Sequence, residues 1–262
     1  MHTQLHSGAA GFELILVLLL VLVFLIYLSA AIVSSQKYKE WPWYRYMFWA
    51  LGLLCITLTF TGPLATYAQN NFVGHMIGHL LLGMLAPLFV VLAMPMTLLL
   101  RTINRSLARK VSKVLRSSPI QFLSNPIVAA VLNIGGLYVL YTTSLYSVMH
   151  QSLLVYIFVH IHVFLAGYLF TISIVYVDVT SHRYSYLYRS IVLVLALAGH
   201  KILSKYIYVY PPEGVPRNEA EAGGKWMYYG VDIVDLVLII ILCFQWFKST
   251  APRLVRQPND LS

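Results

Sequence analysis

Carboxylates are nearly missing from this chain. Asp and Glu together number nine in 262 residues, and the four charged types make up only 10% of it. A soluble globular domain carries about 25% charged residues, so that class is excluded. Cysteine is scarcer still. Cys55 and Cys243 both lie in apolar runs, and neither is part of a CxxC or CxC arrangement. That excludes a disulfide framework and leaves both as small packing residues. The strict apolar–polar alternation of a membrane barrel is lacking, so any membrane segments are helices. There is no nucleophile–base pair, phosphate-binding loop or hydrolase motif, and the chain is not expected to be an enzyme. Internal repeats and low-complexity tracts are absent too. Met1 to Gly11 contains no Lys or Arg, so the positive start of a secretory signal is missing. The first positive charges, Lys37 and Lys39, follow the first apolar run, which reads as an uncleaved span with its N-terminus outside.

What the chain has instead is apolar length. It is 59% hydrophobic with a mean hydropathy of +0.74. Runs of roughly 20 residues recur, each long enough to cross a hydrocarbon core of about 30 Å as a helix. The pattern predicts an all-α polytopic membrane protein, a bundle of seven transmembrane helices, with residues 1–262 forming one integral membrane domain. The expected spans are 12–34, 45–67, 72–100, 126–148, 151–177, 187–210 and 226–247. Gly62 with Pro63, Pro87 and Pro95 interrupt the second and third of these and are expected to kink them.

The net charge of +9 is spread between spans, where it orients the protein and meets membrane lipid rather than nucleic acid. With the N-terminus outside, 14 of the 18 Lys and Arg fall on the cytoplasmic side, Arg183, Arg189, Arg253 and Arg256 among them. Only Lys201, Lys205, Arg217 and Lys225 are left toward the other face. The C-terminus is therefore expected in the cytoplasm. Arg105, Arg109, Lys113 and Arg116 recur at helical spacing in the 101–125 connection, as in a basic interfacial helix or a partner's docking surface. The outer 210–225 segment, rich in Pro, Gly and Glu, reads as irregular.

Histidines lie inside the expected spans, where ionisable groups are costly and mark function. His75 and His79 stand at i and i+4 on one helix face. At 1.5 Å per residue, His79, His160 and His200 lie about 10, 13 and 15 Å below the outer boundary, so three helices bring imidazole to one layer. His150 sits at the mouth. His162 is about 200° round the helix from His160, so the two do not face one point. Imidazole suits copper, zinc or iron, and thioethers select Cu(I). Met76, Met149 and Met227 lie on the same side of the membrane, and His2 and His6 lie in the tail outside it. Asp232 and Asp235, about 9 and 13 Å into the last span, suit either the support of a ligating histidine or an ion pair with Lys201. The plainer reading of each lone histidine is a hydrogen bond that ties two helices.

Several motifs carry a resemblance. His75-Met76-x-x-His79-Leu80-Leu81-Leu82, then Ala86-Pro87-Leu88 and Pro95, resembles the third-span signature of the multi-span CtaG family, assembly factors for caa3-type cytochrome c oxidase. His160-x-His162-x-Phe164-Leu165-x-Gly167-Tyr168, then Asp178, is similar to its next motif, and His200 to its sixth-span histidine. Ala222-Gly223-Gly224-x-x-Met227-Tyr228-Tyr229-Gly230, then Asp232 and Asp235, resembles its approach to the last span. Glu219-Ala220-Glu221 stands where the family has an acidic residue and glutamine, a departure. The resemblance covers about residues 45–247. It implies a seven-helix protein of the bacterial cell membrane that acts as a chaperone toward oxidase subunits as their copper centres mature. The expected ligands are His75, His79, His160 and His200, with His162, Met76 and Met227 as auxiliaries and Asp232 and Asp235 behind them. A b-type haem protein and a copper transporter are the competing readings. The nearly apolar inner halves, Asn133 excepted, count against a path through the membrane.

Overall fold

The computed structural model describes residues 2–180 and 182–251, with backbone alone for residues 2–10 and Phe12. Arg253, Arg256 and the side chains of His2 and His6 lie outside the described residues. Every regular element among those described is helical: α1 (His2–Lys37), α2 (Trp43–Phe60), α3 (Gly62–Asn70), α4 (Phe72–Leu80), α5 (Ala86–Leu92), α6 (Pro95–Thr102), α7 (Arg105–Leu115), α8 (Ser118–Leu123), α9 (Pro126–Ala130), α10 (Gly136–Thr142), α11 (Leu145–Gln151), α12 (Leu153–Ile174), α13 (Tyr186–Val209) and α14 (Arg217–Thr250). Five helical stretches are long and apolar enough to cross a membrane, and two bent pairs bring the count to as many as seven. This is a membrane protein.

One crossing is central. α4 and α5 join through a π turn at Leu81–Leu85 into a continuous stretch, Phe72–Leu92, which is 72% buried where the α1 crossing is 11% buried. The π turn lies just before Pro87. The stretch stays continuous through Pro87, with the π turn in the residues that precede the proline. Around this axis pack α14, α3, α12 and α2.

Three expected boundaries move. The third span does not reach residue 100: the helix stops at Leu92, Met94 turns left-handed with φ 55°, and Pro95 opens the separate helix α6. The fourth stops at Thr142, and the chain bends by 79° into α11. The last helix begins at Arg217, not 226, so half of the segment expected to be irregular is helical. Pro216 precedes the first turn, and Arg217 pairs with Glu221 at i,i+4. The expected bend at Gly62 and Pro63 is present, 47° between α2 and α3.

Near the Leu92 end, α1 is pinned by an aromatic cluster. Tyr27 Oη donates to the Ala93 carbonyl at 2.7 Å, accepts from Trp41 Nε1 at 3.0 Å, and its ring stacks on Trp49. The other half of α1 exposes Leu14, Ile15, Leu18 and Leu22, a lipid-facing surface. α7 carries Arg105, Arg109 and Lys113, with Arg116 just after its end, along one shallow groove and leaves Leu107 and Val114 exposed, the two-faced form of an interfacial helix.

Two polar residues act differently from their sequence reading. Arg189, counted as a headgroup charge, is buried. Its Nη1 donates to the Ile174 carbonyl at 2.6 Å, and its guanidinium lies over the Tyr176 and Tyr186 rings. Asp178 is buried in the connection after α12 and holds the start of α6. Its Oδ2 accepts from Met96 N–H and its Oδ1 from Thr97 N–H, both at 2.8 Å, with the Thr97 hydroxyl as a third donor. Charge-assisted bonds to a helix start are strong. Asp178→Ala is expected to lower stability by about 2–3 kcal/mol, seen as a lower melting temperature of the detergent-purified protein.

Candidate functional site

The start of α4 is built to place histidine. Asn71 Oδ1 accepts from Val73 N–H at 2.9 Å, and Glu219 of α14 accepts from Phe72 N–H at 2.7 Å. Two of the free N–H groups of this helix are thereby satisfied. The acidic residue in the departing motif thus closes the α4 end across 147 positions of sequence. The neighbouring glycines do packing work. Gly223 faces Phe72 and Met76, Gly224 meets the Ser204 carbonyl, and Gly230 lies against Leu80, so α14 approaches both α4 and α13 closely.

One turn and two turns into the crossing, His75 and His79 are both buried. They line a cavity of about 640 Å³ together with His150 and His160. The His75 ring lies 6.3 Å from that of His150 and 6.4 Å from that of His160, centroid to centroid. Tyr141, Tyr156 and Met149 complete the inner wall, while Glu13, Gln69 and Gln151 also line the cavity. Glu13 is the one carboxylate among its described lining residues.

Hydrogen bonding assigns the nitrogens. His160 Nδ1 lies 2.8 Å from the Tyr156 carbonyl and His150 Nδ1 lies 2.9 Å from the Tyr146 carbonyl. A carbonyl only accepts, so each Nδ1 carries the proton and each Nε2 presents a lone pair. His79 Nε2 is buried with no hydrogen-bond partner among the described residues. His75 Nε2 is engaged by Tyr141 Oη at 3.0 Å. Three free imidazole nitrogens around one cavity are the donor chemistry of a transition-metal site. Among the described residues, no three His, Cys, Asp or Glu side chains stand close enough to hold an ion as they are. The ring separations explain this. Imidazoles sharing one ion at about 2.0–2.1 Å have centroids roughly 5–6 Å apart, so these rings stand slightly too wide.

The other expected ligands lie elsewhere. His162 points away: its Nε2–H donates to the Leu132 carbonyl at 3.1 Å, inside a second π turn at Val131–Gly135, and its ring rests on Gly136. It is a helix tie. His200 is buried on α13 outside the cavity wall, and its Nε2 has no partner among the described residues. Met76 and Met227 are enclosed in the apolar core, on the side of α4 that meets α14. Asp232 pairs with Lys201, as one of the two sequence readings had it, and Asp235 is buried with Oδ2 unpartnered among the described residues. Tyr141, opposite His75, was not found by sequence reasoning, because no local spacing connects residues 66 apart.

Residues 25–249 match the family of cytochrome c oxidase caa3 assembly factors. The chain belongs to that family. The resemblance read from the histidine and glycine motifs is thereby borne out. Over 156 residues, 57% of its length, the chain is 28% identical to an uncharacterized protein of Mycobacterium leprae and 30% identical to uncharacterized proteins of Mycobacterium bovis and Mycobacterium tuberculosis. The match spans about a quarter of those relatives, 24% of each. No solved structure matches the chain.

Proposed function

We propose that this assembly factor carries a copper ion in the histidine cavity and delivers it to an oxidase subunit. The single observation behind the reading is that four imidazoles surround one cavity, three with a free nitrogen. His79, His150 and His160 are the leading ligands, with His75 joining when it leaves Tyr141. His150 and Met149 enter the set. His162, Met76 and Met227 leave it, and His200 stands behind the site. When bound, copper supplies the cargo for a metal centre, and this chain's residues hold and release it. Widely spaced rings suit an ion in transit better than a permanent cofactor. Asp232 is committed to Lys201, which leaves Asp235 as the buried carboxylate available for support.

In this reading the protein has seven crossings in a bacterial plasma membrane, counting each bent pair once. Its N-terminus is outside and its C-terminus in the cytoplasm. The basic groove of α7 then faces the cytoplasm, and even with Arg189 set aside the Lys and Arg bias keeps its sign. The cavity opens on the outer side, where Glu13 attracts cations. Metal analysis with an absorption spectrum of the purified protein, loaded with Cu(I) under reducing conditions, tests the proposal. Bound copper with no Soret band is expected. A Soret band would move the assignment to a b-type haem protein, and neither metal nor haem would leave assembly by protein contact alone.

A further inference from the structure

The four histidines of the cavity are not equivalent. His150 and His160 spend Nδ1 on a carbonyl of their own helical turn, which leaves Nε2 open. His79 Nε2 has no partner among the described residues. Only His75 has its Nε2 taken by another side chain, Tyr141 Oη at 3.0 Å. Both residues are buried, Tyr141 to 2% exposure and His75 to 8%. The phenol ring is wedged in place by edge contacts with Phe72 and the His75 ring, and by Tyr146 at 6.2 Å. It does not swing aside freely.

We propose that Tyr141 sets how weakly the cavity holds a copper ion, by competing with the metal for His75. This rests on the copper reading above. In the tautomer that can ligate through Nε2, that nitrogen accepts the phenolic O–H, and the lone pair that would bind the ion is occupied. For His75 to ligate, that hydrogen bond breaks and the ion takes the lone pair. No proton is released and no electron moves. The cost falls on the phenol, whose hydroxyl is left in a buried site lined by aromatic rings. A buried polar group deprived of its partner is expensive, more so than the net worth of the bond it loses. The ion is therefore held by fewer imidazoles than the cavity offers, and the returning phenol helps expel it. A delivery protein needs this lability, and a permanent metal site does not.

Tyr141→Phe removes the competing hydroxyl and keeps the ring. It is expected to hold Cu(I) roughly ten-fold more tightly than wild type in competition with a chromogenic chelator, and to lose it correspondingly more slowly. A merely structural tyrosine would weaken binding when altered, so the direction itself discriminates. The same substitution in a His75→Ala background is expected to change nothing. Equal or weaker retention in Y141F would overturn the proposal, and so would tightening that persists without His75. If wild type retains no Cu(I), the copper reading fails and this inference with it, whereas copper bound by wild type with no gain in Y141F sinks the inference alone. Should Y141F not purify, Tyr141→Leu in both backgrounds asks the same question.

Discussion

Replacing His75 and His79 together with alanine is expected to reduce bound copper to background and to abolish most oxidase activity, while the protein still accumulates in the membrane. The two residues are the contribution of the central crossing to the cavity wall. Without them, His150 and His160 remain, one on α11 and the other on α12. Two imidazoles on the far wall have nothing opposite them to close on an ion. The cost in stability is small by comparison. His75 loses one hydrogen bond, to Tyr141, worth about 1 kcal/mol net. His79 makes none through its Nε2, and both side chains border open space rather than close-packed core. Copper content, oxidase activity and membrane abundance measured side by side decide the matter. Parallel loss of protein and oxidase would mean that the histidines hold the fold and not the metal.

A second substitution is expected to destabilise the packed bundle. Gly167 of α12 meets the carbonyl oxygen of Gly83, so closely that an added Cβ would overlap it. Gly83 lies inside the π turn Leu81–Leu85. The contact is side-chain-free backbone against backbone, so no rotamer change relieves it. Small residues at such crossings let membrane helices pack closely. Gly167→Ala forces α12 outward and carries His160, seven residues away on the same helix, away from His75. The expected loss is at least about 1–3 kcal/mol, the range for overpacking a tight interior, and on backbone it reaches the upper end. Gly135→Ala is the control, since a Cβ there meets only Val131 at an ordinary 3.7 Å. Yield and melting temperature should fall for Gly167→Ala and hold for Gly135→Ala. A Gly167→Ala protein as stable as wild type would mean that α12 and the central crossing do not touch in the native state.

These results bear on how the motifs are read. The Gly-Gly of Ala222-Gly223-Gly224 resembles the family's approach to the last span, and both glycines serve helix contact. Asp178, which follows the second motif at a distance with no evident task, caps α6. His162, two residues from a cavity histidine, satisfies a carbonyl within a π turn. Each shares the motif's neighbourhood without sharing the site. For His162 the reason is that α12 presents different faces to different partners, and positions two apart on a helix diverge by about 200°.

The sequence by itself determined the class of this protein. Twenty-residue apolar runs with few charges admit only membrane helices, since backbone polar groups in lipid must bond within their own segment. Its motifs determined the family, and the i,i+4 spacing determined that His75 and His79 share a face. Tertiary structure alone decided which histidines meet. His150 was placed at the mouth and His200 in the histidine layer; the bundle puts His150 in the cavity wall and His200 outside it, with α11 turned by a 79° bend after Thr142. It alone decided that Tyr141 stands on His75, that Glu219 caps α4 and that Arg189 is interior. Those relations join helices far apart in sequence. Periodicity describes the faces of one helix. Which faces meet is set by close approaches such as that of Gly83 and Gly167, and these exist only once the helices are packed.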